Sequence, residues 1–171
     1  DSDWASIMQA YFTAIATARK YIYIASPYFI PNESILTALT TASLSGVEVR
    51  IMLPAYSDNR ILRWGTMSYV GDLLEAGIHV HHFRKGFTHS KLMLVDDVFC
   101  SVGTANMDIR SFDQNFEVNA IIYDQGVCSQ IKEGFLKDLK FCSEANLSEW
   151  ENRSRFKHWG ESFARIFTPL L

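Results

Sequence analysis

Apolar and polar positions along this chain change period several times, and each change marks an element. Ile7, Ala10, Tyr11, Ala14, Ile15 and Ala18 recur at helical spacing. Ser2 or Asp3 stands where a cap is wanted, so a helix is predicted through about Ala18. Residues 21–25 (YIYIA) form an unbroken apolar run of strand length, expected to be buried on both faces. Pro27 and Pro31 bracket residues 26–31, which are therefore expected to be irregular. Asn32 then caps a helix built on Ile35, Leu36, Leu39 and Leu44, which stops at Gly46.

The second half of the pattern is richer in strands. Residues 47–53 (VEVRIML) read as a strand ended by Pro54. A third helix is expected from about Asp58 to Ala76, with Gly77 as its C′ residue, and residues 78–83 return as a strand. Two apolar runs, 92–95 and 98–102, flank Asp96-Asp97 as the arms of a hairpin. Residues 116–123 (FEVNAIIY) supply a further strand, and from Val127 onward the pattern is helical throughout. A β-α-β-α-β order followed by a hairpin predicts an α/β fold, a mixed sheet with helices on both faces. No linker, repeat or low-complexity stretch divides residues 1–171, so one domain is expected.

Composition narrows the class. At 48% hydrophobic residues with scattered charge, the chain is of globular rather than disordered type. No apolar run approaches the roughly 20 residues of a spanning helix, and the start carries no signal-peptide pattern, so a soluble piece is expected. A net charge of −3 weighs against a nucleic-acid partner, which calls for a basic face. Cys100, Cys128 and Cys142 are an odd set without metal-type spacing and are read as reduced thiols, Cys100 in the core.

The candidate chemistry is concentrated in residues 87–124. His89, Lys91 and Asp96 form the pattern H-x-K-x4-D; Gly103-Thr104-Ala105-Asn106 follows, and Glu117 lies beyond. Alternation predicts His89 and Lys91 on one face of a strand, with Met93 and Val95 behind them. A neutral imidazole can attack phosphorus, and an imidazolium can protonate a departing alkoxide. Lys91 supplies a positive charge for phosphate oxygens, and Thr104 and Asn106 supply neutral donors. Glu117 is placed to accept a ring N–H and fix a histidine tautomer. Asp96 belongs to the pattern too, but its turn position favours a supporting role over contact with phosphate.

These residues resemble the HKD motif of the phospholipase D superfamily. The stretches GVEVRIMLP, LLEAGIHV, FTHSKLMLVDD, SVGTANMDIRSFDQNFEVNAIIYD and ARIFTPLL are similar to the carboxy-terminal half of bacterial cardiolipin synthases. The resemblance implies a phospholipase D-like α-β-α sandwich in which two HKD motifs face one cleft, and it implies no metal or other cofactor. It implies a phosphohistidine on one histidine and acid/base catalysis by the other. The overall transfer joins two phosphatidylglycerols into cardiolipin and releases glycerol. His89, Lys91, Asp96, Asn106 and Glu117 are the catalytic positions that carry over, with Lys91, Thr104 and Asn106 toward phosphate; the family often has Ser where Thr104 stands.

Only one H-x-K occurs in the chain, so the resemblance points to the second half of a longer, inner-membrane-associated protein. Its expected partners are an anionic phospholipid, the membrane surface through the parent chain, and the first half or a second copy. His89 is then assigned the acid/base role. Hydrolysis by a related phosphodiesterase is the alternative activity, and a catalytically stranded scaffold or dimerisation module is the alternative of another class.

Other residues invite chemical readings. His79, His81 and His82 form H-x-H-H without an evident carboxylate or cysteine partner, and are read as structural or surface groups, as is His158. Arg110 suits either phosphate or a buried ion pair. Tyr28 and Phe29 stand at the end of the first strand, as cleft residues or as core. Phe156, Trp159, Phe163, Ile166, Phe167 and Leu170 lie near helical spacing beside basic residues. Such a stripe suits either the core or a bilayer interface, and core packing is the commoner outcome.

Overall fold

In a computed structural model, residues 5–57 and 59–153 are described. In chain order the elements are α1 (Ser6–Thr17), β1 (Tyr21–Ala25), β2 (Phe29–Ile30), α2 (Glu33–Leu44), β3 (Glu48–Pro54), α3 (Arg60–Glu75) and β4 (His79–Phe83). They continue with β5 (Leu92–Val95), β6 (Phe99–Gly103), β7 (Met107–Asp108), α4 (Ile109–Asp113), β8 (Asn119–Ile122), α5 (Gln125–Leu139), β9 (Cys142–Glu144) and α6 (Leu147–Glu151). Seven strands make one sheet in the order β8-β6-β5-β1-β3-β4-β9. β1, β3 and β4 are parallel, while β5, β6, β8 and β9 pair antiparallel with their neighbours.

All five residues of β1 are buried because they alternate between two cores. Ile22 and Ile24 face the larger core, which α1, α2 and α3 cover through residues such as Ile15, Leu39 and Leu73. Tyr21, Tyr23 and Ala25 face the smaller core under Cys128 and Phe135 of α5. The fold is thus the expected α/β sandwich, a mixed sheet with helices on both faces. Cys100 is fully buried, with its thiol free and its pKa pushed up to about 11, first by burial.

The sequence signals explain most element ends. Asn32 accepts from Ile35 N at 3.0 Å to start α2, and Asn59 accepts from Ile61 N and Leu62 N at 2.9 and 3.2 Å to start α3. Gly77 ends α3 with φ +79, the left-handed C′ position. Asp96 and Asp97 both have positive φ (54 and 59), and Val98 N donates to Val95 O at 3.0 Å, a primed turn that matches the twist of the β5–β6 hairpin. Gly103 has a packing reason: a Cβ there would collide with Val118 O and with Asn119.

Several expectations need correction. The expected irregular stretch 26–31 holds a short strand, because Phe29 and Ile30 find a parallel partner in Met107 and Asp108. The carboxy-terminal region is not helical throughout: β9 extends the sheet by pairing with the free edge of β4. Arg84 N donates to Phe141 O and Ala145 N to Val80 O, which carries the ladder past both ends of β9. The strand expected over 116–123 shortens to Asn119–Ile122. α1 begins without a side-chain cap at Ala5. Ser2, Asp3, Asp58, His158 and the aromatic stripe after residue 153 lie outside the described residues. Among the described residues no helix is long and apolar enough to cross a membrane.

His82 gives the fold a pH dependence. Burial, reinforced by Arg63 and Arg84, pushes its pKa from 6.5 down to about 4, and its buried Nε2 has no partner among the described residues. The unfolded chain therefore binds the proton more readily than the folded one between these values. Stability is fully present above pH 6.5 and falls as pH drops toward 4, by about 3 kcal/mol at most. Urea titrations across that range should show the loss, and His82→Phe should flatten this part of the curve.

Candidate active site

β5 runs antiparallel to β1, with Leu92 opposite Ala25, so its amino end lies beside the carboxyl ends of the parallel strands. Crevices at that edge are where α/β sheets place ligands. His89 and Lys91 sit there, just ahead of β5 rather than on it. The pairing with β1 begins only at Leu92; Lys91 keeps one ladder contact, accepting from Gly103 N at 3.3 Å. His89 is exposed, its ring 5.6 Å from that of Phe87.

Lys91 Nζ lies 3.1 Å from His89 Nδ1, 3.3 Å from Nε2 and 3.2 Å from the His89 carbonyl oxygen. Imidazole and ammonium are therefore side by side. Partial burial holds the Lys91 pKa below the usual lysine range, while the charges of Glu117 and Asp108 pull it upward. Those carboxylates act on Lys91 through space.

The loop after β6 leaves the sheet next to Lys91, because Val102 pairs with Leu92. Thr104 N donates to Val118 O at 3.0 Å. Its hydroxyl accepts from Val118 N at 2.9 Å and donates to Glu117. Glu117 also accepts from Ser111 Oγ at 3.0 Å and Asn115 Nδ2 at 3.4 Å. Among these contacts none goes to His89, so Glu117 does not orient the histidine of its own chain. Asn106 N donates to Ser111 Oγ at 3.1 Å, which fixes the backbone. The Asn106 carboxamide oxygen is buried without a hydrogen-bond partner among the described residues. That oxygen can only accept, so the group able to donate to a phosphate is the Asn106 Nδ2 amide.

The supporting residues were not legible as functional. Asn119 Nδ2 donates to Tyr11 Oη at 2.7 Å and to Ser101 Oγ at 2.9 Å, and Asn119 Oδ1 accepts from Ala105 N at 3.2 Å. Ser26 Oγ accepts from Met107 N at 3.1 Å and donates to Tyr28 O at 2.6 Å. Together with Ser111 these groups hold the 104–106 loop from both sides. Ser101 and Asn119 stand out in sequence only as polar residues within apolar strands, and Tyr11, Ser26 and Ser111, outside the strands, give no such signal.

Asp96 is at the far end of β5 from Lys91. Its carboxylate accepts from the backbone N–H groups of Arg19, Lys20 and Tyr21 at 2.6, 2.9 and 2.8 Å. It ties the hairpin to the start of β1 and does not share the edge occupied by His89. Arg110 is exposed rather than buried. Phe29 is fully buried core, while Tyr28 is only half-buried. His79 does have a carboxylate partner, Glu144 at 2.6 Å, brought to it by β9.

The arrangement offers an exposed imidazole and an adjacent cation at one sheet edge, while the Thr104 hydroxyl proton is already given to Glu117. That set suits a phosphate ester whose negative charge must be held while a proton moves. Residues 11–139 match the family described as "Cardiolipin synthase, PLD-like domain". Cardiolipin synthase 2 of Staphylococcus epidermidis is 43% identical over all 171 residues, and the cardiolipin synthase of Clostridium perfringens is 46% identical over 165. The chain spans only 35% of the length of each. Among solved structures, the phosphatidylserine synthase of Haemophilus influenzae superposes with a TM-score of 0.76 at 17% identity, over 96% of this chain and 42% of that one. The phospholipase D family member Nuc of Salmonella typhimurium gives 0.69 at 20% identity, over 81% of this chain and 90% of that one.

Proposed function

Since the chain belongs to the phospholipase D-like domain family of cardiolipin synthases, we propose that it is one half-site of a phosphatidyltransferase. It is the second such domain of its parent, and the parent joins two phosphatidylglycerols into cardiolipin and glycerol. The observation that carries this is the exposed His89 with Lys91 Nζ 3.1 Å from its ring, at the sheet edge where the chain of β6 leaves toward Asn106.

In this reading the histidine of the facing half, or of a second copy, attacks phosphorus. The N–P bond forms as the P–O bond to glycerol breaks, and His89 gives its proton to the departing glycerol oxygen. The glycerol hydroxyl of a second phosphatidylglycerol then loses its proton to His89 and attacks phosphorus. Breaking the N–P bond frees the first histidine. Lys91 and Asn106 hold the non-bridging oxygens throughout. Glu117 holds the site loop through Thr104, Ser111 and Asn115. The parent works at the inner membrane, where its anionic lipid substrate lies.

Product analysis tests this. The parent enzyme given phosphatidylglycerol should yield cardiolipin and free glycerol in equal amounts. Phosphatidic acid as the dominant product would instead mark a hydrolase.

A further inference from the structure

The carboxyl ends of β3 and β4 carry more than the catalytic pair. Pro54 pairs with Phe83, and Ala55 N donates to Phe83 O at 2.9 Å, so the chain leaving β3 toward α3 runs beside the chain leaving β4 toward His89. Arg60 and Arg63 are exposed on the first turn of α3, and Arg84 and Lys85 on the neighbouring segment. None of the four forms an ion pair with a described residue. Arg84 is held by Ser143 Oγ at 2.8 Å, and Lys85 lies 4.4 Å over the Phe141 ring. No carboxylate occurs in residues 59–64 or 84–91, in a chain whose net charge is −3. The positive field is felt below: Arg63 and Arg84 both help to keep His82 uncharged.

Large apolar side chains stand among these cations. Tyr56 is 66% exposed, Ile61 51%, Trp64 47% and Phe87 43%. The first turn of α3 is exposed because it projects past the sheet end, and its buried face starts only at Gly65 and Thr66. Phe87 touches the His89 ring, so this rim continues into the catalytic edge. Interleaved cations and aromatic residues fit the interface of an anionic bilayer, where aromatic rings sit at headgroup depth and cations meet lipid phosphates. Aromatic residues and arginine also mark protein interfaces, but cations without a carboxylate in residues 59–64 and 84–91 complement a densely anionic surface.

We propose that the first turn of α3 and the β4–β5 connection form a docking rim that seats on an anionic phospholipid surface and turns the His89 cleft toward the headgroups. The assignment of lipid as the partner rests on the phosphatidyltransferase reading, but its test does not depend on turnover.

The 171-residue chain should co-sediment with phosphatidylglycerol vesicles and bind phosphatidylcholine vesicles at least about tenfold more weakly. Arg63→Glu with Arg84→Glu should reduce partitioning onto the anionic vesicles at least about tenfold, and Trp64→Ala a few-fold. Arg60→Glu with Lys85→Glu should repeat the loss, with melting temperatures unchanged in both double variants. Vesicle binding is read without turnover, so inactivity of His89→Ala in the parent tests the chemistry separately. Equal binding of wild type and both double variants would place lipid contact elsewhere and overturn the rim. Equal binding to neutral and anionic vesicles would do the same, as would no binding by the wild type. Loss of pairing with another half or copy, without loss of vesicle binding, would make the surface a protein interface instead.

Discussion

His89→Ala in the parent enzyme should lower the rate of cardiolipin formation about a thousandfold, the scale of losing a general acid and base, or about 4 kcal/mol of transition-state stabilisation. The effect should fall on kcat, because His89 is exposed and no described element depends on it for packing. Lys91→Ala should differ in kind. It removes a charge from bound phosphate in ground and transition states alike, so KM should rise as well. Initial rates over a range of phosphatidylglycerol concentrations, with melting temperature as a control, separate the two. Unchanged turnover in His89→Ala would remove the catalytic reading.

Asp96→Ala should unfold the protein more readily while leaving the chemistry of surviving molecules intact. Three backbone donors lose their acceptor, and alanine is forced to φ 54, a left-handed conformation it disfavours. The combined cost is about 3 kcal/mol, reduced from the full sum because the Arg19 and Lys20 N–H groups can turn to water. Asp96→Asn should cost about 1 kcal/mol, since its remaining carbonyl oxygen can still accept and asparagine tolerates the left-handed region. Chemical denaturation gives the stabilities. A kcat near wild type in Asp96→Asn, below its melting temperature, would confirm that this motif residue works through the fold; a loss as deep as that of His89→Ala would mean that Asp96 takes part in the reaction.

The contrast between Asp96 and His89 shows what sequence could reveal. β1, the Asn32 cap and the Asp96-Asp97 turn were legible because each is dictated locally, by a run of apolar residues or by one backbone conformation. β9 was not, since Cys142-Ser143-Glu144 has no strand pattern of its own and is extended only because the edge of β4 offers unpaired backbone groups. The two-residue β2 escaped for the same reason. In the site, residue types and spacing singled out His89, Lys91, Asn106 and Glu117 as candidates, and the fold brings His89 and Lys91 together. They could not reveal that Glu117 would be taken up by Thr104, Ser111 and Asn115. Nor could they show that Tyr11, 90 residues from Ser101, would help to brace the loop. Those contacts depend on the closed fold and leave no local trace.

The central claim is that imidazole 89, ammonium 91 and carboxamide 106 serve one phosphate. A crystal structure of the parent chain with orthovanadate, a mimic of five-coordinate phosphorus, addresses it most directly. The oxyanion should lie about 3 Å from His89 Nε2, Lys91 Nζ and the Asn106 side chain together, with Lys91 drawn off the His89 ring onto an equatorial oxygen. A well-ordered vanadate that meets only one of the three, with Lys91 still against His89, would contradict the account.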